Sequence, residues 1–289
     1  MNELTHALPG LARIVGLILL GSVLSACGDA PPPPAPPVGI AGHENPLLTV
    51  WETEFGVPPF DQIQNDHYLP AFREAMEIHR AEIDAIVENP EAPTFENTIV
   101  ALEEAGALYS RVGRVFGAVN GAHTNDTLTD VARTLAPERA AHGDAVILNP
   151  DLWVRVNTVF EQREDLGLTP EQDKLLEETH KGFVRSGAAL DEDSKTRIME
   201  INSELAQLST QFGENVLAET NAYELLVTDS ADLGALPGNL VTLAAERARS
   251  NGHESGWAFG LDRPSINPFL EYSTNRDLRR EIFMGYALR

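Results

Sequence analysis

Thiol chemistry is almost absent from this chain. Cys27 is its only cysteine in 289 residues, so no intramolecular disulfide and no CxxC pair can exist. Positive charge is scarce as well, with 21 Lys and Arg against 44 Asp and Glu and a formal net charge of −23. A surface of that sign repels phosphate backbones and anionic lipid head groups, which argues against nucleic acid as a partner. Long apolar runs are missing too: Ile14–Leu24 stops at eleven residues, where a bilayer-spanning helix needs about 20. Several catalytic signatures are absent from the sequence, among them the HExxH zinc helix, the GxSxG nucleophile elbow, the phosphate-binding loop and the GxGxxG turn.

What is present is apolar enough to fold. Hydrophobic residues make up 43% of the chain, too many for a disordered acidic solubiliser, so the carboxylates belong on solvated helix faces. The acidity fits either of two roles, colloidal stability or attraction of cationic peptides.

The first 26 residues read as an export signal. Arg13 precedes the Ile14–Leu24 run, and Leu24, Ser25, Ala26 and Cys27 follow it. This string resembles the lipobox of bacterial lipoproteins, in which the cysteine is diacylated and becomes the mature N-terminus. The resemblance makes Cys27 the lipidation site and a lipid anchor the only contact with a membrane. It implies a location on the periplasmic side of a bacterial envelope, and Gly28 after the cysteine favours the outer membrane. Residues 27–44 then form a tether, in which Pro31–Pro34, Pro36 and Pro37 make a stiff extended spacer of about 3.1 Å per residue. Folding is expected to begin near Asn45, with a strap pinned by Leu48, Trp51, Phe55, Phe60 and Ile63 among the turn residues Gly56, Pro58 and Pro59.

From Asp66 the periodicity is helical. Tyr68, Phe72, Met76, His79, Ile83 and Ile86 mark one helix, closed by Asn89 and Pro90. In Pro93–Ala122 the residues Phe95, Ile99, Leu102, Ala105, Tyr109, Val112, Phe116 and Val119 recur every three or four positions, which predicts a single helix of roughly seven turns capped by Thr94. A second row on it, Gly113, Gly117 and Gly121, costs about 1 kcal/mol per glycine relative to alanine. Two returns are possible, close approach of another helix backbone or a smooth groove wall for a peptide. Further helices are expected from Thr124 or Asn125 with a kink at Pro137, over Leu152–Phe160, from the Thr169, Pro170 and Gln172 capping box, and after Asp191. The last carries Ile198, Ile201, Leu205, Leu208, Phe212 and Val216. At Ala222 the texture changes. Tyr223–Val227 and Trp257–Leu261 look like short strands, with a helix from about Asn239 to Ser250 between them, an order that permits a parallel pair. Helix returns at Ile266–Tyr272 and after Asn275. The chain then ends at Arg289 without a capping glycine or polar tail, as though cut inside an architecture.

Few residues suggest chemistry. The nearest string to a zinc helix, His253, Glu254, Ser255, Gly256 and Trp257, has tryptophan where the second ligand belongs. Glu177 and His180 stand three apart on a helix, but a di-iron bundle needs a second copy and two further carboxylates, so a surface ion-pair role is the reading for them. His43, His67, His123 and His142 are scattered. No catalytic and no metal-ligating residue is assigned.

Several strings together resemble the M3 family of zinc metallopeptidases. They are NPLLTVWETEFGVPPFDQI, HYLPAFREAM with AEIDAI, PTFENTIVALEEAG with RVGRVFGAVNGAHTND, LNPDLWVRV, FVRSGAAL, LAQLSTQFGENVL and NRDLRREIFMGYALR, spread from about Asn45 to Arg289. The resemblance implies a mainly α fold, the multi-helix N-terminal half of such a peptidase, with a small two-strand element near its C-terminal end. It divides the chain into a helical domain at 45–221 and an α/β segment at 222–289 that leads toward a catalytic region beyond this chain. It also implies that the N-terminal half walls a deep channel, that short peptides are the substrate, and that C-terminal dipeptides are released by a zinc-activated water. The zinc ligands of that family match no residue here, so the cofactor is expected of the full-length protein and not of this chain. The alternative is a non-catalytic, lipid-anchored helical protein that binds peptides or a partner.

Overall fold

The computed structural model describes residues 38–289; the stretch read as an export signal, Cys27 and the prolines of the spacer lie outside the described residues. The fold is mainly α, with one small sheet. Order is already present at Val38, ahead of the start expected at Asn45. The Ile40 amide donates to Leu48 O at 2.7 Å, and Ile40 bridges to Thr49 in parallel. Gly39 is needed there because its φ is +140° and a Cβ would lie 2.4 Å from Thr49 O.

The strap is pinned differently from the expectation. Leu47 and Leu48 are fully buried, whereas Phe60 is half exposed and Phe55, in a left-handed turn at φ 58°, is 93% exposed. Its anchor is a buried arginine. Arg111 donates to the carbonyls of Val38, Leu47 (2.7 Å) and Thr49 (2.8 Å), and its guanidinium lies 4.2 Å from the Trp51 ring centre. Three carbonyls supply hydrogen bonds to a cation that burial has stripped of water, and that desolvation lowers its pKa to about 10.

Helix α1 (Tyr68–Val87) buries Tyr68, Phe72, Met76, Ile83 and Ile86, the face its periodicity predicts. Thr94 caps the next segment by accepting from the Asn97 amide, but no seven-turn helix follows. Phe95–Val100 forms a π-helical turn, α2 (Ala101–Glu104) adds one turn, and the chain breaks before α3 (Ala107–His123). The cause is Gly106, at φ +73°, whose amide donates to Glu82 Oε2 at 2.7 Å. Only glycine fits, because a Cβ would stand 2.9 Å from the His79 ring. Asn125 caps α4 (Asp126–Ile147), which continues through Pro137. Asn149 and Pro150 then act as cap and first residue of α5 (Pro150–Glu161), and Thr169, Pro170 and Gln172 begin α6 (Pro170–Arg185) with the expected capping box. Two apolar clusters result. One joins the strap, α1, α3 and α4, and the other joins the end of α1, the π turn, α5 and α6.

Asp191 caps α7 (Glu192–Ala222), of whose side chains only Lys195 is buried. Beyond it, β1 (Leu225–Val227), α8 (Gly238–Ser250), β2 (Trp257–Phe259), α9 (Arg263–Tyr272) and α10 (Arg276–Leu288) enclose a third apolar cluster around Phe259 and Phe269. The strands are antiparallel, with Leu225 opposite Phe259 and Val227 opposite Trp257, and not the parallel pair that the element order permits. Glu224 accepts from Asn251 and pairs with His253 at 2.5 Å, which draws the end of α8 back beside the start of β1. Gly256, at φ +110° and tight against Val227 O, then turns the chain to run back along β1.

Between α1 and α4, under α3, lies a pair of histidines, of which the periodicity placed His79 in the apolar row of α1 and left His142 unassigned. His79 Nδ1 and His142 Nε2 are 2.9 Å apart, with Tyr109 against both rings and its hydroxyl accepting from Arg139. Desolvation lowers both pKa values. It carries His142 to about 4, helped by the neighbouring His79 and Arg80, while Glu82 opposes the effect on His79.

Two outcomes follow for stability. Gly106→Ala should destabilise the chain by about 1–3 kcal/mol, whereas Gly117→Ala, with nothing within 4 Å of its Cβ, should stabilise it by about 0.4–1 kcal/mol. Urea midpoints of the two variants on opposite sides of the parent check this. For the histidines, the unfolded state takes up protons first as pH falls. Their contribution is therefore complete above about pH 6.5 and falls below it, for His142 down to about pH 4. The urea midpoint should drop between pH 7 and 5, and less steeply in His142→Gln; equal slopes contradict the assignment.

Candidate functional site

The residues flagged for chemistry take structural places. His180 Nε2 bonds Asn157 Oδ1 at 3.0 Å, and its ring stacks on Phe160 at 3.8 Å, while Glu177 pairs with Lys174 at 3.3 Å. Glu177 thus has the ion-pair role expected of it, and His180 is held by aromatic packing instead. His253 is committed to Glu224. No group of three His, Cys, Asp or Glu that could hold a metal occurs among the described residues. The His79 and His142 nitrogens face each other at hydrogen-bonding distance with no third ligand, so these residues do not fit a zinc centre. The sequence did hold one sign of this pair, since His79 occupies a position in the apolar row of α1.

Surfaces stand out more than side-chain clusters. The first is the outer side of α3. Gly117 and Gly121 have nothing within 4 Å of a notional Cβ, and Gly113 meets only the Phe72 ring at 3.9 Å. No helix backbone among the described residues crosses there, so the glycine row leaves a smooth face uncovered by them. A cavity of about 480 Å³ lies between α3 and the strap, lined by Trp51, Phe60, Arg111, Arg114 and Val115 among others.

The second surface is α7. It pairs antiparallel with α4: Asn202 donates to Asp144 at 2.6 Å, and Arg133 reaches Glu214 at 3.0 Å. The side of α7 turned to α4 carries Asn202, Ala206, Thr210 and Glu214, all half-buried and small or polar, while Ile198 and Val216, toward either end of the apolar row, are half-buried as well. At 100° per residue, Ile201, Leu205, Leu208 and Phe212 point roughly the opposite way. Leu205, Leu208 and Phe212 are 55%, 52% and 68% exposed. Isolated apolar side chains at a surface are ordinary, but a continuous stripe of large ones marks an interaction face. The pattern that identifies α7 as a helix therefore also identifies the side on which Leu205, Leu208 and Phe212 stay more than half exposed, while Ile198 at its start packs beside Gly187.

No protein-family model matches the chain. Among curated proteins it is 40% identical over 241 residues to a dipeptidyl carboxypeptidase of Escherichia coli, a match covering 83% of this chain and 35% of that protein. A dipeptidyl carboxypeptidase of Salmonella typhimurium is 41% identical over 239 residues, with the same coverage. Oligopeptidase A of Haemophilus influenzae is 30% identical over 245 residues, covering 85% of this chain and 35% of that protein. The chain thus spans about a third of the length of the curated relatives it matches. Over more than four fifths of its own length it is a homologue of the M3 peptidases dipeptidyl carboxypeptidase and oligopeptidase A.

Proposed function

We propose that this chain is the N-terminal, channel-forming part of a zinc-dependent M3 peptidase that releases C-terminal dipeptides from oligopeptides, and that the zinc-bearing half lies outside it. The observation that carries this reading is the 40% identity to a dipeptidyl carboxypeptidase over 83% of the chain but only 35% of that enzyme. In this reading zinc is held by the other half, because the HExxH helix by which such peptidases bind it does not occur in this sequence. Within this chain the outer face of α3 suits a channel wall. Gly117 and Gly121 project no side chain, so an extended peptide backbone could approach closely. Acidic residues exceed basic ones twofold, which favours approach of cationic peptides. The protein is held at the periplasmic side of a bacterial envelope, at the outer membrane, through lipid on Cys27.

Two experiments test this. In a chimera where the matching residues of this chain replace the aligned third of the Escherichia coli enzyme, zinc-dependent dipeptide release from an oligopeptide is expected, with none from the 289-residue chain alone. A folded chimera that cleaves nothing, or chelator-sensitive cleavage by the chain alone, contradicts the proposal. For the anchor, cells fed a labelled fatty acid should incorporate it into the parent chain and not into Cys27→Ser; equal labelling overturns that part.

A further inference from the structure

We infer that the apolar stripe of α7 is the docking surface for the part of the peptidase that lies outside the matched third, and that the partner face is an apolar ridge bordered by Lys or Arg. This rests on the functional reading above, and four observations lead to it.

The stripe is built for burial. Ile198, Ile201, Leu205, Leu208 and Phe212 follow the 3, 4, 3, 4 spacing of a helix seam, run for about 21 Å at 1.5 Å per residue, and leave Leu205, Leu208 and Phe212 more than half exposed. The side of α7 turned to α4 is occupied by polar partners, Asn202 with Asp144 and Glu214 with Arg133. Rolling the helix inward to bury the stripe would break both pairs. The apolar side must therefore be covered from outside the described residues.

The border of the stripe bears on what covers it. By helical phase Glu204 flanks the stripe, unpaired among the described residues, Glu219 continues its line one heptad beyond Phe212, and Arg197, on the same flank, is neutralised by Glu200 at 2.8 Å, so the border carries a net negative charge. A second copy of α7 would set acidic border against acidic border in a molecule of charge −23. Two heptads are also fewer than the three or four over which a coiled coil is recognised. A broader face with basic flanks satisfies both the length and the charge.

The relatives supply a candidate of that size. A match of 241 residues in a chain of 289 necessarily includes α7, while about two thirds of the relative lies outside the match. The helix is thus part of what is shared with proteins that carry a large additional body, and that body is the occupant assigned here.

The test is co-expression of the full 289-residue chain with the unmatched two thirds of the Escherichia coli dipeptidyl carboxypeptidase, followed by affinity purification on this chain. A one-to-one complex is expected. Leu205→Glu/Phe212→Glu should reduce recovery at least tenfold while Phe212→Leu retains it, and thermal melts should show that the charged variant still folds. The assignment is overturned if the partner stays insoluble or unbound with the parent chain, if the charged variant binds as well, or if the parent alone sediments as a dimer that the same substitutions dissociate. Dipeptide release is read separately. A complex that forms through α7 but cleaves no peptide with zinc contradicts the proposed function and leaves the docking surface standing.

Discussion

The pairing of α7 with α4 through Asn202–Asp144 and Arg133–Glu214 decides which way α7 points its large side chains, and much of what is unusual in this molecule depends on that choice. Ordinarily an amphipathic helix turns Leu and Phe to the core and its carboxylates to water. Here small and polar residues face the neighbouring helix, and Leu205, Leu208 and Phe212 face out. Fully burying such a side chain contributes about 1.5–3 kcal/mol relative to leaving it exposed, so several in one row represent a large unrealised stabilisation. The rest of the fold is complete without them. Three apolar clusters account for the strap, the other helices and the small sheet, and α7 adds no fully buried apolar side chain to any of them.

Elsewhere the architecture is fixed by buried cations that hold backbone. Arg111 gathers three strap carbonyls, and Arg155 on α5 reaches Asn89 O, Glu91 O and Asn97 Oδ1, closing the loop between α1 and the π turn. Both guanidiniums offer a planar fork of donors, which suits several carbonyls at once better than a lysine ammonium would. The left-handed Gly106, with its amide on Glu82, then turns α3 onto α1 and covers His79. Loop closure in this protein rests on a few long-range polar contacts more than on loop length.

Much of this was legible in the sequence. The caps at Thr94 and Thr169, the cap at Thr124 or Asn125 that the structure gives to Asn125, and the apolar rows of α1 and α5 follow from short-range rules, because each involves residues within one or two turns. What was hidden depends on contacts far apart in the chain. The break at Gly106 is set by Glu82 and His79, more than twenty residues away, and periodicity alone carried the helix straight through it. Phe55 and Phe60 looked like anchors because they are aromatic, yet the anchor is Arg111 some fifty residues on. The glycine row suggested a crossing helix, and the structure leaves Gly117 and Gly121 open. The antiparallel order of the strands depended on Glu224 gripping Asn251 and His253, which strand and helix propensities do not report. For the candidate site, composition marked α7 as amphipathic without saying which side its neighbour would take.

An apolar row exposed on α7, a smooth glycine face and a match to about a third of the curated peptidases support the proposal that this chain is one wall of a larger enzyme. The most direct measurement of that claim is the DNA sequence downstream of the codon for Arg289. The account predicts coding sequence for an HExxH helix within the next few hundred codons, in whichever frame, similar to the unmatched part of the dipeptidyl carboxypeptidases. Downstream DNA that encodes nothing of the kind would contradict it.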